Sequence, residues 1–292
     1  MSPKVGISLA CWPGLTHLAA AQAAMQGVCE PLLGDLHADH VQLVPQSTDV
    51  LDERLAEVLV RTWPRAKFRL HANVRVLQQR RLADLGTFDR DRDWFEAAAR
   101  IHRALGSTVY TAHAGRRGEA SLWRLFDNAR RCADLFDCPV AIEGHYPSGG
   151  EGVDGFLVSS WTAYRALLEG GVPYALDLSH IHILAHRSGR REEALVADML
   201  ASPACLEVHI SDNDGIGDTH AVLCHEPWWW PLLQHIHPGA TVFSEGNHRR
   251  HVHRQRERGS ARAIAAHHEG LADADVPTDR SFASNLQGST VP

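Results

Sequence analysis

Val172–His180 reads VPYALDLSH. The run is apolar on successive residues, as a strand covered on both faces requires, and it ends on an acid, Asp177, with His180 three residues further on. Both side chains face one spot if the chain turns there. The pattern recurs: apolar runs end on His71 in FRLHA, His113 in VYTAHA, Glu143 in VAIEG, His209 in LEVHIS and Glu245 in TVFSEG. Amphipathic stretches separate the runs, which is the mark of βαβ units and a parallel sheet.

Strands are expected near 4–10, 40–44, 67–72, 108–113, 138–143, 172–177, 206–211 and 240–245. Helices are expected near 14–27, 50–63, 93–105, 119–136, 157–169, 191–201, 227–236 and 248–270, with Gly106, Gly170 and Gly171 where helices stop. Eight alternating pairs make an α/β fold, and a closed (β/α)8 TIM barrel is its economical topology. No GxGxxG follows the first strand to favour an open doubly wound sheet. Residues 1–270 are expected to form one TIM-barrel domain, and 271–292, poor in large apolar residues, a flexible tail.

The chain has 292 residues, 44% of them hydrophobic, and a formal net charge of -6. That charge argues against binding to nucleic acid, whose affinity rests on accumulated positive charge. The six cysteines (Cys11, Cys29, Cys132, Cys138, Cys205, Cys224) form no CxxC pair, which suits reduced thiols and excludes a thiolate zinc knuckle. The start, MSPKVGISLACW, has no basic segment before a long apolar stretch, and no apolar run is long enough to span a bilayer, so a cytoplasmic protein is expected. Lys4 and Lys67, the only lysines, each precede a strand. They would lie at the barrel's stability face, away from any Schiff-base chemistry.

Catalytic groups of such barrels sit at the mouth, where the strands end. Two short spacings extend the donor set: D-x-x-H in LDLSH, and D-x-H in GDTH, which puts Asp218 and His220 on one face of an extended segment. The candidate metal ligands are His71, His113, Glu143, Asp177, His180, His209, Asp218, His220 and Glu245. Imidazole with carboxylate suits first-row divalent metals, and this set exceeds what one ion needs. The four carboxylates neutralise two divalent ions, and three would leave room for an anionic substrate group. Glu143 is the candidate bridge, and Glu143, His209 and Glu245 are the candidate catalytic residues.

His145, Tyr146, Asp212, Asn213, Asp214 and Asn247 are candidates to orient ligands or touch substrate. Trp228, Trp229 and Trp230 read mainly as core, and Arg75, Arg116 and Arg117 as loop charge. His102, His182, His186, His235, His237, His251, His253, His267 and His268 have no assigned role.

In order, HA, HAG, IEG, LDLSH, HISDNDG with DTH, and SEG resemble the xylose isomerase-like TIM barrels, the superfamily of AP endonuclease family 2, over roughly residues 4–250. The resemblance implies a multinuclear centre of two or three divalent ions, and three branches compete. Endonuclease IV holds three zinc ions through a similar ligand set. Sugar isomerases and epimerases use one or two metals and carry Glu, Asp, His and Glu where Glu143, Asp177, His209 and Glu245 stand. In that branch Glu143 and Glu245 double as proton-transfer bases. The multinuclear non-heme iron-dependent oxidases share the layout of DTH, a tryptophan-bearing helix and a final glutamate. They usually have asparagine at the His180 position and HxAGH in place of HISDN. The oxidase branch is taken first. It implies iron first, with zinc or manganese as alternatives, dioxygen, and a small-molecule or peptide substrate, with a substrate-presenting partner protein as one way of delivery. A non-catalytic metal-binding barrel is the remaining alternative.

Overall fold

Eight short strands, each starting within two or three residues of its expected position, form one parallel sheet. They are β1 (Val5–Ser8), β4 (His37–Leu43), β5 (Lys67–Leu70), β6 (Tyr110–His113), β7 (Val140–Glu143), β8 (Tyr174–Asp177), β9 (Cys205–Ile210) and β10 (Thr241–Ser244). The other two, β2 (Cys29–Glu30) and β3 (Gly34–Asp35), form a small antiparallel hairpin that the sequence pattern does not announce. The computed structural model describes residues 4–148 and 155–249. The barrel order is β5-β4-β1-β10-β9-β8-β7-β6, and β5 meets β6 without a hydrogen-bonded ladder. This is the TIM-barrel architecture.

Every residue of β1, β7 and β8 is buried, so the uninterrupted apolar runs are explained by cover on both faces. The outer layer comprises α1 (His17–Met25), α2 (Glu53–Thr62), α3 (Arg92–Ala104), α4 (Leu122–Phe136), α5 (Trp161–Glu169), α6 (Leu178–Ser188) and α7 (Glu193–Ala201). Thr16, Asp52, Ser121 and Ser160 cap α1, α2, α4 and α5 by accepting a backbone N–H.

Two expectations are corrected. Between β8 and β9 there are two helices, because α6 starts on the residue after Asp177. The helix expected at 227–236 is a 3-10 segment, Trp230–His235, where Pro231 near its start and the bulky tryptophans replace a regular amphipathic stripe. Trp229 is fully buried, and Trp228 and Trp230 pack against the core. The expected helix 248–270 lies almost wholly, and the tail 271–292 wholly, outside the described residues. No described helix is long and apolar enough to cross a membrane, and all six cysteines are unbridged.

Candidate metal centre

The parallel strands all end at one mouth, and their terminal side chains meet there. Glu143, the last residue of β7, lies at the middle. Its Oε2 is 2.9 Å from His71 Nε2 and 3.7 Å from His113 Nε2. Its Oε1 is 3.5 Å from His209 Nδ1 and 3.8 Å from His180 Nδ1. On one side, Asp218 Oδ2 lies between His180 Nε2 at 3.4 Å and His220 Nε2 at 2.9 Å, with Asp177 Oδ2 3.4 Å from His180 Nε2. On another, Glu245 reaches His209 Nδ1 at 3.9 Å and His220 Nδ1 at 3.5 Å. All nine sequence candidates are therefore gathered in one cluster. Three lobes emerge: His71/His113/Glu143, His71/His209/Glu245 and Glu143/Asp177/His180, each with donor atoms within 4.8 Å of one another.

The D-x-x-H spacing works through a helix cap rather than a turn. Asp177 Oδ1 accepts from the N–H groups of Ser179 at 2.7 Å and His180 at 3.1 Å, starting α6 on the last residue of β8. Oδ2 is left facing the cluster. Asp218 and His220 ride on the loop 212–221, closed by paired backbone bonds between Asp212 and Ala221 and docked on α6 through Asn213 Nδ2 donating to Ser179 O. His220 has a φ of 45°, a left-handed conformation that costs a non-glycine residue energy and that the loop imposes.

A second set of groups sets the imidazole tautomers. His71 Nδ1 donates to Ala72 O, His180 Nδ1 to Gly144 O and His209 Nε2 to Glu207 Oε1. For His71 and His209 the remaining nitrogen, a lone pair, points into the cluster, and His71 Nε2, His209 Nδ1 and Glu143 Oε2 are buried with no hydrogen-bond partner. Lone pairs facing lone pairs at 2.9 Å require a proton or a cation between them. His113 is held differently. Asn73 Oδ1 accepts from Ala83 N–H, so Asn73 Nδ2 donates both to Asp84 and, at 3.0 Å, to His113 Nδ1. In that tautomer His113 Nε2 carries the proton, and ligation requires the proton to move to the Asp84 side, 3.6 Å from Nδ1.

Electrostatics make the same demand. Burial pulls down the pKa of His180 and His220, yet Asp177 and Asp218 outweigh it and hold them at about 10 and about 9. Burial likewise opposes protonation of His209, but Glu245 and Glu143 raise its pKa well above the ordinary value. Burial pushes the Glu143 carboxyl up, and the surrounding His209, His71 and His113 hold it far below its usual range. Three buried carboxylates and the partly buried Asp218 call for positive charge, which protons or divalent cations can supply. The donor set, the orphaned lone pairs and the outer hydrogen bonds thus fit divalent metal ions.

Several supporting residues carry no strand-end signal. Beneath the cluster, Glu207 Oε1 accepts from His209 at 2.7 Å and Gln42 at 2.7 Å, while Oε2 takes Arg69 Nη1 at 2.6 Å. Glu207 stands two residues before His209, on the same face of β9, and strand alternation could have placed it there. Burial raises the Asp84 carboxyl, but His113 and Asn73 hold it at about 2. Of the other sequence candidates, His145 stacks on Phe156 beside the site, with centroids 3.9 Å apart, and Tyr146 lines the mouth. Asp212, Asn213 and Asp214 shape the carrying loop, and Asn247 N–H donates to His220 O. Arg116 stacks on Phe156, whereas Arg75 and Arg117 bind loop carbonyls.

The mouth encloses about 320 Å³, lined by eight of the nine candidates except the deeper His209, with Pro45, Leu82, Tyr146 and Phe156 as its apolar wall. A larger cleft of about 660 Å³, lined by Arg117, Ser159, Trp161 and Arg187, contains no described His or carboxylate.

No family model and no curated protein matches the chain. Solved structures do. A D-tagatose 3-epimerase-like protein is 15% identical, with a TM-score of 0.58, covering 91% of this chain and 99% of its own. The AP endonuclease, family 2, from Brucella melitensis is 16% identical at a TM-score of 0.55, covering 84% and 93%. The fold shared with these structures is the (β/α)8 TIM barrel. A third neighbour of this kind, the IOLI protein with a bound zinc atom, is 12% identical, with a TM-score of 0.54 over 83% of this chain and 88% of its own.

Proposed function

We propose that the protein is a divalent-metal-dependent isomerase or epimerase of a small hydroxy-carbonyl compound. The observation that carries it is the pairing of two buried glutamates, Glu143 ending β7 and Glu245 following β10, across His209 at 3.5 and 3.9 Å. Glu143, Asp177, His209 and Glu245 would hold the central cation, with His180, Asp218 and His220 completing a second position. Two divalent ions balance the four carboxylates. Zinc, manganese and iron all suit these donors. A bound cation would polarise the substrate carbonyl and acidify the neighbouring C–H.

The chain's own groups supply the proton path. Glu143, fully buried, takes the proton from carbon, and Glu245, entering the step as the carboxylic acid, returns one from the opposite side. His209, locked by Glu207, fixes the distance between the two. Pro45, Leu82 and Phe156 limit water, and the mouth's 320 Å³ suits a small molecule. The fold likeness to a 3-epimerase-like protein supports this reading.

A second reading, iron- and dioxygen-dependent oxidation of a small molecule or a peptide side chain, is favoured by donors in excess of what an epimerase needs, His71 and His113 above all. One experiment separates them. The protein, loaded anaerobically with Mn(II), Zn(II) or Fe(II), is incubated in D2O with a panel of ketoses and aldoses. Deuterium entering the carbon next to the carbonyl, lost in Glu143→Gln and Glu245→Gln, is expected. No exchange in any sugar, with dioxygen uptake by the iron form, overturns the isomerase and leaves the oxidase.

A further inference from the structure

Cys11, Glu30 and His248 converge beside the end of β10, from three separate parts of the chain. Cys11 closes the 3-10 turn after β1, Glu30 belongs to β2 and His248 follows β10. A sulfur, a carboxylate oxygen and a ring nitrogen lie within 4.8 Å of one another, and Cys11 and Glu30 are buried. Each is held from behind. Cys11 Sγ lies 3.5 Å from Ser244 O, Ser244 Oγ donates to Glu30 Oε1, and His248 Nε2 is 3.0 Å from that same oxygen. The His248 ring stacks on Trp12 with centroids 5.9 Å apart, and next to it Arg249 Nη1 donates to Pro13 O at 2.6 Å.

We propose that these three residues form a second zinc site, separate from the barrel-mouth cluster, with water at its open fourth position. Tetrahedral zinc with bonds of about 2.3 Å to sulfur and about 2.0–2.2 Å to nitrogen and oxygen puts its ligands roughly 3.4–3.6 Å apart. A set already within 4.8 Å needs a contraction of at most about 1.4 Å. One thiolate and one carboxylate neutralise the ion, and a neutral centre is what a buried site tolerates. Without a metal, the Glu30–His248 pair with Ser244 satisfies the carboxylate and the Cys11 thiol donates to Ser244 O at 3.5 Å. A cation between thiol and carboxylate would replace that weak thiol bond with a ligand bond. It would clamp the hairpin and the segment 246–249 to the turn after β1, three residues from Glu245.

Cobalt(II) is the direct probe, because none of the nine barrel-mouth donors is sulfur. The full-length protein saturated with Co(II) should develop a strong near-ultraviolet thiolate-to-cobalt band. That band should vanish in Cys11→Ser, together with one equivalent of tightly held metal, and weaken in His248→Gln. It should persist in Glu143→Gln and in Cys29→Ser, which removes the neighbouring exposed thiol. Absence of the band from the wild-type protein overturns the proposal, whatever the variants' stability. So does a band that survives Cys11→Ser.

Discussion

Glu207→Gln isolates the work of the layer beneath the histidine–carboxylate cluster. Glu207 is fully buried and joins His209, Gln42 and Arg69, whose own side chain is 12% exposed. Burial alone would raise its pKa, yet Arg69 and His209 hold it at about 2. A depression of that size is worth on the order of 3 kcal/mol. Because the folded value lies below the unfolded one, this stability is present above about pH 4.5 and disappears as the pH falls toward 2. Glutamine keeps the shape but loses the charge. Turning its oxygen to His209 puts an amide N–H against the Arg69 guanidinium, and turning it the other way forfeits the His209 tautomer. The substitution should therefore cost roughly 3 kcal/mol at pH 7.5 in urea denaturation, in line with removing one partner of a buried pair. It should also weaken divalent-metal affinity about 10- to 100-fold in chelator competition, through a ring no longer held with Nδ1 as the lone pair. Adding Arg69→Met should restore much of the stability, since no charge is left unpaired, without restoring the metal affinity. Unchanged affinity in Glu207→Gln would refute the claim that this layer orients the ligand.

Metal uptake should release protons near pH 7.5, because His180 and His220 titrate at about 10 and about 9 in the metal-free protein and ligate only when neutral. Apparent affinity should then rise with pH up to about 10, and calorimetry in buffers of different ionisation enthalpy would expose a mechanism without proton release. Gly144→Ala would place a Cβ 2.6 Å from the Tyr164 ring while Gly144 O holds His180, so a loss of about 1–3 kcal/mol and weaker metal binding are expected, both checked on one purified variant. His102, in an aromatic cluster with Tyr110 and Phe136, is pushed down to about 4 by burial and by Arg103. The unfolded chain takes up that proton first, so stability falls from about pH 6.5 to 4. His102→Phe should abolish about 3 kcal/mol of this fall in urea titrations at the two pH values.

The barrel is readable in the sequence because cover on both faces forces long apolar runs, and a polar residue at the end of such a run has few reasons to be there. VAIE, YALD and YTAH show both parts of that rule. The supporting layer is not readable in the same way. Arg69 and Glu207 are 138 residues apart, and only closure of the barrel makes them neighbours. Asn73 and Asp84 sit in an irregular loop whose polarity resembles that of any other loop. The hairpin β2–β3 is too short for periodicity to register. LDLSH is the more instructive case. As a strand followed by a turn it brings Asp177 and His180 together, and so does the actual structure, by another route. The acid is an N-cap, and its partner is the third residue of the helix it starts, so a spacing of three is fixed by capping geometry. One carboxylate oxygen begins α6 and the other faces the cluster, so a change at Asp177 must disturb helix and cluster together. That coupling explains why the motif is compact: the cap that positions His180 belongs to the same side chain whose second oxygen lies 3.4 Å from His180 Nε2.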